Sequence, residues 1–228
     1  MSALSATIEK RHRRASVTAV ASTTAVIAGL LVGITEGLFF ALALARFVIQ
    51  GLVWQRFGWA ATNLIEPALL GVAMLTPLLS GVAFGRLLQR TGRTGSGWWR
   101  HALIGPYLWL SSTVGVVVAS SFEPLAKNHD DVGVQLVFRA GFTLASGLAA
   151  LLCTGATALT LRLERPVARA AIVGLVTAGT YLVVTSLLGL MPNWHVGSGD
   201  MAMPRIAMVA NLIAGTIGGA TAFRLLSR

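Results

Sequence analysis

Acidic residues are scarce in this chain, eight among 228, against 18 lysines and arginines. Charged residues of both signs make up only 11%, hydrophobic ones 55%, and mean hydropathy is +0.74. Charge this sparse excludes an ordinary soluble domain, because one water-facing core of this length cannot hide so much apolar side chain. Period-two alternation in segments of ~10 residues is also missing, which excludes a transmembrane β-barrel. With a single cysteine, Cys153, no intrachain disulfide can form, and the residue is expected to act as a small packing group.

Catalytic signatures are absent as well. There is no GxSxG, P-loop or HExxH, and no pair of carboxylates on one helix. The chain is therefore expected not to be an enzyme, and active transport by it would need a partner subunit or an ion gradient. His12, His101, His129 and His195 fall at or beyond the ends of the apolar runs, two on each side, which excludes a heme held between helices. No cofactor is expected.

What the chain does contain is long continuous apolar runs, at 23–46, 67–88, 102–121, 136–161, 170–191 and 204–223. Each has the ~20 residues that a helix needs to cross a hydrocarbon layer of ~30 Å. The expectation is an all-α integral membrane protein of six transmembrane helices: a basic cytoplasmic segment, 1–22, followed by one transmembrane domain, 23–228. The "EKRHRR" string ahead of the first run resembles the start of a signal peptide. The run behind it extends to about Arg46, too long for a cleaved leader, so it is read as a retained first span.

The surplus of positive charge is distributed by side. Thirteen bases (Lys10, Arg11, Arg13, Arg14, Arg86, Arg90, Arg93, Arg100, Arg162, Arg165, Arg169, Arg224 and Arg228) flank the runs on one side, with only Glu9 and Glu164 as acids. The other side carries Arg46, Arg56, Lys127, Arg139 and Arg205 against Glu66, Glu123, Asp130, Asp131 and Asp200. By the positive-inside rule both termini are cytoplasmic, in a multi-pass protein of the cell (inner) membrane. The basic face is expected to attract anionic lipid headgroups and not nucleic acid. Trp98, Trp99 and Trp109, and the 46–66 segment with Trp54 and Trp59, read as interfacial anchors.

Related strings close the second, fourth and sixth runs, "GVAFGRLLQR" at 81–90, "GATALTLRLER" at 155–165 and "GATAFRLLSR" at 219–228. They suggest three repeated helical hairpins, a plan that frames cavities in many transporters.

One acid lies within a run. In "GLLVGITEGLFF", 29–40, Glu36 falls on the same helical face as Gly29 and Gly33, ~2 Å from the midpoint of its span. A bare carboxylate there costs several kcal/mol, so it must be protonated, hydrogen-bonded, paired with a cation or open to water. Asn211, Gly215 and Gly219 form a second small-residue face, and the depths of Glu36 and Asn211 differ by ~4–5 Å. The first and sixth spans are therefore expected to pack through these faces, with Glu36 and Asn211 sharing a polar site. The bland reading of Glu36 is a register lock, hydrogen-bonded to a backbone carbonyl or to Thr35, Thr157 or Thr177.

Arg139 either snorkels outward or pairs with Glu36 or Glu66. Glu66 and Arg205, each beside a proline that opens a span, are candidates for an outer-rim ion pair. His129, Asp131, His195 and Asp200 would make a divalent-metal site only if the outer loops met; no metal is expected from their spacing.

Three functions follow from these residues. The favoured one is a transport or permease-type component built around Glu36; six spans with both termini inside are similar in plan to many small permease subunits. The alternative is a non-catalytic accessory or scaffold subunit of a larger membrane complex, partnered by other membrane subunits. The weaker alternative is a membrane enzyme using an outer-face metal site.

Overall fold

A computed structural model describes residues 22–38, 56, 67–68, 71–72, 75–91, 97–122, 131–189 and 202–227. The fold is all-α, with no strand among the described residues. The helices are α1 (Ser22–Leu38), α2 (75–90), α3 (Trp98–Ala102), α4 (Ile104–Ser120), α5 (Asp131–Thr160), α6 (Pro166–Gly189) and α7 (Ala202–Leu226). A single turn residue, Leu103, separates α3 from α4. Among the described residues four stretches, Trp98–Ala119, Leu136–Thr160, Pro166–Gly189 and Ile206–Leu226, are long and apolar enough to cross a membrane. The expected spans 23–46 and 67–88 are described over Ser22–Leu38 and 75–90.

Helix ends follow local chemistry. α6 begins at Pro166, four residues before the expected 170, because proline at the first helical position forfeits no hydrogen bond. Arg169 is accommodated in that first turn: its Nε donates to Glu164 O at 2.9 Å and its Nη1 to Leu225 O, tying α6 to the end of α7. α5 stops in a Schellman arrangement, with Arg162 N donating to Leu159 O at 3.0 Å and Leu163 N to Ala158 O at 2.9 Å. Arg162 occupies the left-handed position, φ 56°, where glycine is usual.

Neighbouring helices approach closely where glycine removes the side chain. A methyl added at Gly215 of α7 would stand 3.0 Å from Gly33 Cα and 3.3 Å from Glu36 Cγ, and one at Gly219 would stand 3.2 Å from Gly29 Cα. The α1 and α7 backbones are therefore nearly in contact, through the two small-residue faces read from the sequence. Gly81 and Gly105 do the same for α2 and α4, where an added methyl on Gly81 would meet Ile104 O at 2.7 Å.

The principal core cluster joins Ala25 and Ala28 of α1, Phe84 and Leu88 of α2, Ile104 of α4, Ala158 and Leu161 at the end of α5, Val173 of α6, and Phe223 and Leu226 of α7. Phe84 and Phe223 meet edge to face, centroids 5.7 Å apart. Successive helices thus run up and down, and this cluster brings one set of ends together. Arg86, Arg90, Arg100, Arg162, Arg165, Arg169 and Arg224 surround those ends, with Glu164 the acid among them. A second cluster, Tyr181 with Ala210 and Ala214, lies further along the bundle against Phe142. Large apolar side chains face outward along the helices, Val167, Leu175, Leu79 and Leu159 among them.

Candidate functional site

Glu36, Asn211 and Ser146 stand at one level. Glu36 lies 14 residues from Ser22, Ser146 14 from Thr160 and Asn211 15 from Leu226, roughly 21 Å of helix in each case. Between the helices is a cavity of about 80 Å³ lined by all three, together with Ser111, Cys153, Thr154, Thr157 and Thr177. The rest of its wall is glycine, alanine and larger apolar side chains. Glu36 is the one charged residue in that lining.

Each polar group at this level has its own serine. Ser112 Oγ of α4 donates to Glu36 Oε1 at 3.1 Å. Ser146 Oγ of α5 donates to Asn211 Oδ1 at 3.0 Å, while Asn211 Nδ2 donates to Ala207 O at 2.9 Å in its own helix. Glu36 and Asn211 therefore share a cavity wall but are held by serines of different helices, α4 and α5. The stem of Glu36 lies against Gly215, so α7 offers it packing and α4 offers it a donor.

The threonines behave differently from the bland expectation. Thr35 Oγ1 bonds Leu31 O at 2.7 Å and Ser80 Oγ of α2. Thr177 Oγ1 donates to Val173 O at 2.8 Å. A threonine within a helix can donate its hydroxyl to the preceding turn, and neither Thr35 nor Thr177 is bonded to Glu36. Thr157 is 1% exposed, and its hydroxyl lies beside the Cys153 thiol.

The remaining candidates are placed as follows. Arg139 lies outside the cavity lining, seven residues and ~10 Å of helix beyond Ser146. Its guanidinium sits by Gly189 at the end of α6, with Nη2 2.8 Å from where a Cβ would be. The side chains of Asp131 and Arg205, and all of Glu66, His129, His195 and Asp200, lie outside the described residues, so neither the outer-rim pair nor the outer metal set is placed. Among the described residues no group of three His, Cys, Asp or Glu gathers to hold a metal.

Sequence reasoning missed Ser112, Ser146 and the position of Cys153 in the cavity wall. The "SST" string at 111–113 was the available signal. It is weak, because serine and threonine in apolar helices usually bond their own backbone, as Ser111 does to Leu108 O at 3.0 Å and Thr113 to Trp109 O at 2.9 Å. His101, placed at a span boundary from sequence, is 1% exposed, because Gly85 admits the α2 backbone against its main chain.

Trp98 and Trp99 are exposed beside it, 71% and 51%, with the Arg100 guanidinium 5.2 Å from the Trp99 ring centre. No protein-family model, curated protein or solved structure matches the chain.

Proposed function

We propose that this chain is a multi-pass membrane protein whose six helical spans carry a transport-type polar site around Glu36, with both termini on the cytoplasmic side. Length and apolar character of the helices support the membrane setting, and outward-facing Val167, Leu175 and Leu79 suit lipid. Concentration of arginine at one set of helix ends supports the orientation. Those arginines would also draw anionic headgroups to that face.

The observation that carries the transport reading is that Glu36 lines a cavity and does not face a closed wall of side chains. Intramembrane acids are costly, and where they occur they usually mark ion or substrate pathways. Volume narrows the ligand. About 80 Å³ is well under the ~300–1,000 Å³ of pockets that take drug-sized molecules, so the site suits water and small ions.

A specific observation also favours the accessory-subunit reading: the near-contact of the Gly33 and Gly215 backbones, which resembles a fixed seam more than a sliding one. Reconstitution separates the two. Proteoliposomes holding the chain should pass a small ion faster than protein-free vesicles, and Glu36→Gln should abolish the excess. Equal permeability in all three preparations, with a membrane partner recovered stoichiometrically in mild detergent, would favour the accessory role and contradict transport.

A further inference from the structure

We infer that the six spans close in a ring of three equivalent hairpins, and that the site at Glu36 is one turn of that ring, with Ser112 and Thr177 as its other two members. The inference goes beyond the transport reading: it assigns the residues that stand beside the acid, whatever the site passes.

Helix contacts give the ring. The hairpins are α1–α2, α4–α5 and α6–α7, and in each the first helix packs on the second helix of the hairpin before it, α1 taking α7 and so closing the circle. The contact is the same three times. A methyl added at Gly29 of α1 would meet Thr216 O and Ala220 of α7, and one at Gly105 of α4 would meet Leu78 O and Val82 of α2. One turn along α1, Gly33 faces Leu212 O and Thr216 as Gly174 of α6 faces Gly147 O and Leu151 of α5. A head-to-tail contact repeated in this way closes when each step turns by a third of a circle.

These contacts fix a register: Gly29 matches Gly105, Gly33 matches Gly174, and Leu78, Leu151 and Thr216 match one another. Cavity and surface test it. In this register Val32, Leu108 and Val173 coincide, and all three line the cavity. So do Gly81, Thr154 and Gly219, and then Phe84, Thr157 and Ala222. Leu88, Leu161 and Leu226 coincide in the core at the basic end, each no more than 6% exposed. On the outside Ile34, Leu110 and Leu175 coincide, as do Leu79, Leu152 and Ile217, and all of these are exposed. An error of one residue would rotate a helix by ~100° and turn its members of these triplets off their faces. The register sets Thr154 against Gly219, one residue from the match of the two GATA strings.

One turn beyond Val32, Leu108 and Val173 stand Glu36, Ser112 and Thr177. Each hairpin supplies one polar side chain here: Glu36 and Thr177 line the cavity, and Ser112 Oγ reaches Glu36 Oε1 at 3.1 Å. That hydrogen bond joins equivalent positions. On the second helices Ser146 and Asn211 are likewise equivalent, and they are bonded to each other at 3.0 Å. Side chains meet their own equivalents only near the axis that relates them, so both polar pairs lie on the axis of the ring.

Equivalence predicts that acid and hydroxyl can change places. With the full chain in mild detergent, Glu36→Ser with Ser112→Glu should melt within about 3 °C of the unaltered protein, and so should Glu36→Thr with Thr177→Glu. The control, Glu36→Ser with Thr113→Glu, turns the acid by ~100° from the axis and should melt about 5–10 °C lower. Spin labels on Ile34→Cys, Leu110→Cys and Leu175→Cys, taken in pairs in a Cys153→Ala background, test the ring from its outer face. The three distances should be equal.

A loss in either exchange as large as the control's overturns the assignment of the site, and one distance clearly longer than the other two overturns the ring. Reconstituted flux separates this from the transport reading. Exchanges that keep their stability in a chain without flux contradict transport and uphold the ring. Glu36-dependent flux with unequal distances does the reverse.

Discussion

Ser112 Oγ donates to Glu36 Oε1 at 3.1 Å across the interface of α4 with α1, and Gly215 of α7 packs against the stem of the same glutamate. One acid is thus supported by two helices distant in sequence. Removing the donor tests this support. Ser112→Ala should lower stability in a denaturation titration by about 1 kcal/mol, the net value of one hydrogen bond. Ser111→Ala, whose hydroxyl donates to Leu108 O of its own turn, should cost measurably less.

The α1–α7 seam makes a sharper demand. At Gly33 an added methyl would meet Thr216 N at 2.8 Å, and backbone cannot yield as a side-chain tip can. Gly33→Ala is expected to destabilise by about 1–3 kcal/mol, as overpacking does. Gly179 has nothing within 4 Å of the same added atom, so Gly179→Ala should be neutral or slightly stabilising, since alanine is the better helix former. Equal losses at the two positions would mean that the seam is not packed as described.

Arg162 holds a left-handed backbone that costs an L-residue roughly 1–2 kcal/mol. Arg162→Gly should relieve this and raise stability by about 1 kcal/mol, after allowing for the extra freedom that glycine gives the unfolded chain. A fall in thermal stability would show that the arginine side chain contributes more than its backbone costs.

Legibility of the structure in the sequence varied with the range of the interaction. The helical class follows from run length alone. The seam was readable because Gly29 and Gly33, and Gly215 and Gly219, repeat every four residues, and that spacing places each pair on one face whatever the neighbours do. Partner choice was not readable. Whether Glu36 meets Ser112 or a threonine depends on how α4 is rotated, and nothing in "WLSSTVG" distinguishes a serine that turns inward from one that bonds its own turn.

The start of α6 was misplaced for a related reason. Arg169 reads as a loop charge until its bonds to Glu164 O and Leu225 O are seen. Cys153 and Thr157 gained meaning only from a cavity formed by helices far apart in sequence.

The account depends on Glu36 pointing into the protein at α4. Disulfide trapping with Glu36→Cys and Ser112→Cys, in a Cys153→Ala background, measures this directly. Mild oxidation in native membranes should join the two positions in high yield. Failure to form the bond, with the thiol at position 36 reacting readily with a lipid-dissolved maleimide, would place that side chain among the acyl chains and contradict the account.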